Sequence, residues 1–308
     1  MVAIPAVYGR ILQNCNMACK SGKVETSDEA RTYVVTGADS GLGRAIAHEL
    51  GNAARVITCG IGESVDVRAD LATPVGRADL IRQVRDRTDG RIDAVIAVAG
   101  MDDRGPNTVA LNYFGTIAVL DGLRDCLAAS PAGAAVVISS SSTLNRGSGA
   151  LVRACLRGDE ERAGRVARRL VSTRRGSQIY RSSKMALNLW VRSAAVAAEW
   201  AGNGIVLNAV APGIIATEQV VSSWHRQQRL LQTALPQPLG SPGPVEPVAE
   251  LVAHLASPRN RFITGQVIYG DGGTDALMRK GRPQRVYLRY HPRDVRAMVD
   301  ASRELARS

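Results

Sequence analysis

Tyr180 and Lys184 stand four residues apart in "YRSSK" (180–184), in a chain with four lysines against thirty-five arginines. On a helix this spacing puts both side chains on one face. A free phenol ionises near pH ~10, too high for proton exchange near neutrality. A neighbouring ammonium favours the phenolate and lowers that value, without arginine's rigid fork of donors. Such a pair could hand a proton to a carbonyl oxygen or take one from an alcohol. In isolation the same spacing also describes an ordinary surface pair, so the rest of the chain has to decide.

"TGADSGLG" (36–43) supplies the second constellation. Gly37 permits a tight turn, Gly41 lets backbone approach a pyrophosphate, and Gly43 lets a helix pack closely on a sheet. The helix that begins there offers unpaired N–H groups to phosphates. A glycine triplet alone is a weak signal; its place between a strand and a helix makes it a strong one.

That context is legible in the apolar patterning. "TYVVTG" (32–37) reads as a strand and 42–51 as an amphipathic helix closed by glycine. Short strands follow at 54–59 and within "SVDVRADL", with a helix at 75–88. Continuous apolar strands at 92–100 and 133–142 flank a long helix at 107–129. A further helix spans 180–200, then a strand at 204–213, a helix at 246–256 and a last strand at 265–273. Strands apolar along their whole length, alternating with helices, predict one α/β domain: a doubly wound parallel sheet covered on both faces, the Rossmann fold. The expected divisions are an extension at 1–30, a dinucleotide-binding catalytic domain at 31–278 and a basic tail at 279–308 with a helix at 293–306. Within the domain, 141–179 reads as an insertion of two helical stretches joined at "RGDEE", and 214–240 as a proline-ended segment.

The glycine spacing followed by "YRSSK" resembles the short-chain dehydrogenase/reductase family, over about residues 31 to 278. "VAG" (98–100), "LNYFG" (111–115), "ISS" (138–140) and "PGIIAT" (212–217) fall in that family's order. "LNYFGTIAVLDGL", "AAVVISS", "DGGTDALM" and the long insertion are similar to the bacterial 3α-hydroxysteroid dehydrogenase/carbonyl reductase branch. The resemblance implies a catalytic set of Asn112, Ser140, Tyr180 and Lys184. Ser140 would hold the substrate oxygen, although "ISSSS" leaves Ser139 and Ser141 open as the inward hydroxyl. Asn112 would hold a water that relays protons through Lys184, and Lys184 would also hold the nicotinamide ribose. Cofactor contacts are implied for Gly37, Ser40, Gly41, Leu42, Gly43, Ile61, Asp70, Leu71, Ala99, Gly100, Lys184, Pro212, Gly213, Ile215 and Thr217. Thr217 would bond the nicotinamide carboxamide, and 214–240 would close over the substrate, with Trp224 and Leu230 as candidate contacts.

Two departures stand out. Ala97-Val98-Ala99-Gly100 replaces the frequent Asn-Asn-Ala-Gly. NAD-preferring members place an aspartate at the tip of the second strand, where eighteen residues beyond Gly43 this chain has Ile61 and no adjacent arginine. Glu63 or Asp66 could reach the ribose if the loop curls back, so NAD(H) and NADP(H) both remain open.

The bulk numbers set limits. No apolar run approaches the roughly 20 residues of a membrane span, and no secretory signal is read at the N-terminus. Five scattered cysteines, without a second Cys or His pair beside Cys15 and Cys19, point to free thiols in the cytoplasm and to no metal site. The net charge of +11 is concentrated in 153–175, with eight arginines against three acids, and in 279–308, with nine basic residues against three acids. No nucleic-acid motif accompanies it. The arginines of the insertion are either a solvated face or a dock for an acidic partner, such as an acyl carrier protein or a CoA thioester. The expected function is interconversion of a secondary alcohol and a ketone with NAD(H) or NADP(H). Its expected substrate is bulky and largely apolar, a hydroxysteroid-like or secondary-metabolite ketone, and the expected assembly a homo-oligomer, dimer or tetramer. The alternative is an inactive dinucleotide-binding scaffold or regulator.

Overall fold

Each apolar run becomes a parallel strand, in a computed structural model that describes residues 31–280 together with Arg296 and Asp300. The expectations for residues 1–30 and for the tail helix lie outside the described residues, those two positions excepted. The strands are β1 Thr32–Thr36, β2 Arg55–Gly60, β3 Val67–Arg68, β4 Ala94–Ala97, β5 Ala134–Ile138, β6 Val206–Pro212 and β7 Val267–Gly270. They form a single sheet in the order β3-β2-β1-β4-β5-β6-β7, every pair parallel. The order reverses between β1 and β4, and in open α/β sheets ligands bind in the crevice beyond the strand ends at such a switch point.

Alternating side chains divide the core between the two sheet faces, as the pleat requires. Val34 and Val95 face a layer containing Leu80, Leu120, Leu123, Ile179 and Leu187. Tyr33, Val35 and Ile96 face the other, with Ile46, Leu50, Val252 and Leu255. The first layer is built by α2 (Pro74–Thr88), α4 (Thr116–Ala128) and α7 (Ser177–Ala194), the second by α1 (Gly41–Gly51) and α9 (Glu246–Ala256).

The helix expected at 107–129 is not uniform. It opens as α3 (Pro106–Val109), runs as a π-helix over Ala110–Gly115 and continues as α4. Insertions of this kind in helices often mark functional sites. The insertion forms the expected two helices, α5 (Gly149–Leu156) and α6 (Glu160–Ser172), each started by a capping side chain. Ser148 Oγ accepts the Leu151 N–H at 3.4 Å, and Asp159 Oδ1 accepts the Arg162 N–H at 2.9 Å. The segment after β6 carries α8 (Glu218–Ala234), and α10 (Thr274–Arg279) follows β7.

Candidate active site

The glycine loop is fixed by close approach. Thr36 ends β1, and its hydroxyl accepts the N–H groups of Val98 at 3.1 Å and Ala99 at 3.2 Å, tying the ends of β1 and β4 together. Gly37 has φ +67°, and a Cβ there would lie 2.8 Å from the Ala99 Cα. At Gly43 a Cβ would lie 1.9 Å from the Gly37 carbonyl oxygen, so only glycine lets α1 start this close to the turn. Ser40 stands at the N-cap of α1 and makes no side-chain capping bond. The first-turn N–H groups of a helix have no intrahelical partner and suit a phosphate. A groove of about 960 Å³ opens at this point. A groove lined by this glycine loop and the unpaired first turn of α1 fits a dinucleotide.

The groove brings together most of the residues expected to touch a cofactor: Gly37, Ser40, Gly41, Leu42, Gly43, Ile61, Asp70, Leu71, Ala99, Gly100, Lys184 and Thr217. Tyr180 lines it as well. Pro212, Gly213 and Ile215 do not. Pro212 is buried in β6 and Gly213 donates to the Gly270 carbonyl at 3.1 Å. Ile215 lines a separate cavity of about 490 Å³ with Gln237 and Tyr269. They shape the chain leading to Thr217, whose hydroxyl accepts the Val220 N–H at 3.4 Å and caps α8.

Tyr180 and Lys184 share the face of α7 that meets the end of β5. Lys184 is buried and its Nζ donates to the Ile138 carbonyl at 2.7 Å. The ammonium lies over the Tyr180 ring, 5.9 Å from its centroid. Burial without a carboxylate partner lowers the lysine's pKa to about 8. Tyr180 departs from the expectation that its lysine acidifies it: burial raises the phenol above its usual value, the Ser140 hydrogen bond pulls it down, and Asp102 pushes it up. Desolvation outweighs the Ser140 hydrogen bond, and Lys184 gives its own hydrogen bond to Ile138.

The three serines left open by "ISSSS" have different surroundings. Ser140 pulls on the Tyr180 phenol, and its Oγ accepts the Ser142 N–H at 3.1 Å at the start of a 3-10 turn, while Ser139 lines the groove. The buried hydroxyls of Ser139 and Ser141 meet no protein partner. Asn112 is fully buried in the π-helical segment, behind the groove lining. Its Oδ1 accepts the Met101 N–H at 2.8 Å, and its Nδ2 donates to the Met101 carbonyl at 2.9 Å and Ser183 Oγ at 3.3 Å. It thereby holds the strand end that carries Gly100, where a Cβ would come within 3.1 Å of Asn112 Oδ1 and 3.4 Å of Lys184 Nζ.

Other groove residues escaped sequence reasoning: Asp39, Arg68, Met101, Asp102 and Glu218. Asp102 lies two residues beyond the "VAG" strand end, and an acid in that position was the available signal. Burial raises its pKa. No group of three or more His, Cys, Asp or Glu side chains could hold a metal among the described residues. Cys59, Cys126 and Cys155 are free and buried, and no described helix is long and apolar enough to cross a membrane.

Comparison with known proteins gives concordant results. Residues 31–153 match the short chain dehydrogenase family, and residues 163–275 match the family described as Enoyl-(Acyl carrier protein) reductase. The 3-alpha-hydroxysteroid dehydrogenase/carbonyl reductase of Comamonas testosteroni is 31% identical over 253 residues, covering 80% of this chain and 97% of that protein. Galactitol 2-dehydrogenase (L-tagatose-forming) of Cereibacter sphaeroides is 31% identical over 241 residues, covering 78% and 92%. Among solved structures, the 3-alpha-hydroxysteroid dehydrogenase from Pseudomonas sp. B-0831 complexed with NADH superposes with a TM-score of 0.74 at 35% identity, over 81% of this chain and 99% of that one. The chain belongs to the short-chain dehydrogenase/reductase family of NAD(P)-dependent oxidoreductases.

Proposed function

We propose that this chain interconverts a secondary alcohol and a ketone, with Tyr180 as the proton-transferring group, Ser140 as the holder of the substrate oxygen and Lys184 as the charge behind them. The observation that carries the reading is the pairing of Tyr180 with Lys184 in the wall of the groove, the Lys184 ammonium 5.9 Å from the ring centroid, with the Ser140 hydroxyl pulling on the phenol. A nicotinamide dinucleotide bound there would supply or accept a hydride. It would be held by the loop Gly37–Gly43, by Asp70 and Leu71, by Ala99 and Gly100, and by Lys184 and Thr217. The residues themselves do the rest. Ser140 and Tyr180 present two hydroxyls to one oxygen. Tyr180 would donate its phenolic proton to the carbonyl oxygen in reduction and take it back from the alcohol in oxidation. Asn112 acts on the site through the Met101 backbone it holds.

The substrate is read as bulky and largely apolar. Met101, Leu111 and Ile138 line the groove near Tyr180, and α8 has exposed Val221 and Leu230 with Trp224 half-buried. These side chains would cover an apolar ketone if 214–240 acts as a lid. Steroid and carbonyl substrates named for the relative from Comamonas testosteroni suit such a cover. The exposed Arg162, Arg168 and Arg169 of α6 support delivery of the substrate on an anionic carrier, such as an acyl carrier protein or CoA. Half-exposed Leu189 on α7 supports a homo-oligomer.

The experiment is turnover of a ketone panel by the unaltered chain and by Tyr180→Phe. Loss of a general acid removes about 10²–10⁴ in rate, so turnover should collapse while dinucleotide affinity stays within about twofold. Retained turnover refutes the assignment. The same assay gives a pH test. Lys184 is an ammonium below about 8 and neutral above it, so kcat/KM for reduction should fall as pH rises through about 8. A rate flat across that range removes Lys184 from the mechanism.

A further inference from the structure

The tip of β2 has Ile61 where an acid was expected, yet a carboxylate is bound to it. Asp39, from the glycine loop, crosses to β2, and its Oδ2 accepts the N–H groups of Ile61 at 3.1 Å and Gly62 at 2.9 Å. Two glycines make the room. A Cβ on Gly60 would lie 2.7 Å from the Asp39 Cγ, and one on Gly62 would lie 3.2 Å from its Cβ. Asp39 Oδ1 accepts no hydrogen bond among the described residues, and the side chain lines the groove beside Gly60 and Ile61. The two acids considered earlier do not compete. Neither Glu63 nor Asp66 lines the groove, and Asp66 Oδ2 is occupied by the N–H and hydroxyl of Thr58 at 2.8 and 2.7 Å.

We propose that Asp39 selects NAD(H) over NADP(H), its anchored carboxylate receiving the adenosine ribose hydroxyls and repelling a 2′-phosphate. In dinucleotide-binding folds an acid at the β2 tip bonds the ribose 2′-OH, and a nearby arginine accommodates the phosphate instead. Here the acid reaches the tip from a different element, and two backbone N–H groups hold it still. The opposing group is Arg68, paired in register with Gly60 and lining the same groove. It lies on β3, whereas Asp39 is bonded to the tip itself. The inference rests on the dinucleotide site of the proposed function.

A fluorescence titration of the full chain with NADH and NADPH tests it. A hydrogen bond to a charged group contributes about 1.5–3 kcal/mol, equivalent to about tenfold or more in affinity. NADH should therefore bind at least about tenfold tighter than NADPH. Asp39→Asn keeps an oxygen for the Ile61 and Gly62 N–H groups and removes the charge; it should weaken NADH about tenfold and bring the ratio near one. Gly60→Ala keeps the charge and displaces the carboxylate, and should move the ratio the same way. NADPH binding as tightly as NADH in the unaltered chain overturns the proposal and points to Arg68. So does an unchanged ratio in a folded Asp39→Asn chain, with Gly60→Ala deciding if that variant fails to fold. Binding of neither dinucleotide is a different result: it overturns the proposed function, and this inference with it.

Discussion

Two segments added to the dinucleotide-binding core, the insertion and α8, are held in opposite ways. The insertion is welded down. Its helices α5 and α6 bury Leu151, Ala154, Cys155, Ala163, Ala167 and Leu170, and each begins with a side-chain cap. Buried Arg77 then joins α6 to the body, donating to both oxygens of Glu160 at 2.7 Å. The same guanidinium donates to the carbonyls of Leu71 at 2.8 Å and Ala110 at 2.9 Å, one in the cofactor groove and one at the start of the π-helical segment. By contrast α8 buries no residue at all. Its ties are the Thr217 cap, an exposed ion pair between Arg44 and Glu218, and a single hydrogen bond from Asn145 Nδ2 to the Ala234 carbonyl at 3.2 Å. Exposed ion pairs contribute little to stability, and few buried contacts mean a low local free energy of opening. A site that must accept and release a substrate needs one wall that stays and one that can move.

The largest expected effect comes from breaking the fixed wall. Arg77→Met removes the donor from Leu71, Ala72 and Ala110 carbonyls and leaves Glu160 unpaired. Taking one member from a buried, hydrogen-bonded pair costs about 3–5 kcal/mol. Glu160 remains partly exposed and can be rehydrated, so about 3 kcal/mol is expected, seen as a lower thermal midpoint. Dinucleotide binding should weaken as well, because Leu71 loses its brace. A variant that melts with the unaltered chain would mean that apolar packing alone holds the insertion, and the contrast with α8 would lose its main support.

Both segments were visible in the sequence, but not this difference. The glycine loop, the strands and the "YRSSK" pair are legible because each follows from a local requirement: a turn without Cβ, an apolar run, a helical spacing. Two helices joined at "RGDEE" are legible for the same reason. The Arg77–Glu160 clamp joins residues 83 positions apart, and nothing in the charge pattern picks Arg77 out from the other arginines. The π-helical stretch at Ala110–Gly115 is hidden within a run that reads as one continuous helix. Asp39 was lost behind the glycines around it, because its partners Ile61 and Gly62 lie just past β2. The raised phenol of Tyr180 is a matter of burial, which spacing alone does not carry. What escaped reading is in each case a contact between elements distant in sequence.

The smallest expected effect on stability is at the movable wall, and it separates a lid from a plain surface helix. Leu230 is 65% exposed. Leu230→Ser should therefore change the thermal midpoint little, by an amount corresponding to about 0.5 kcal/mol or less. If α8 closes on the substrate, the leucine becomes buried only when a bulky ketone is bound. Full burial of such a side chain is worth about 1.5–3 kcal/mol, so partial burial should appear as a severalfold rise in KM for a large apolar ketone. A small ketone that does not reach α8 should show no change, and dinucleotide affinity should be unaffected because Leu230 does not line the groove. Equal KM changes for large and small ketones would place the effect on the site as a whole. No change for either would leave α8 as an exposed helix, and the substrate wall would then have to be sought around Met101 and Asp102.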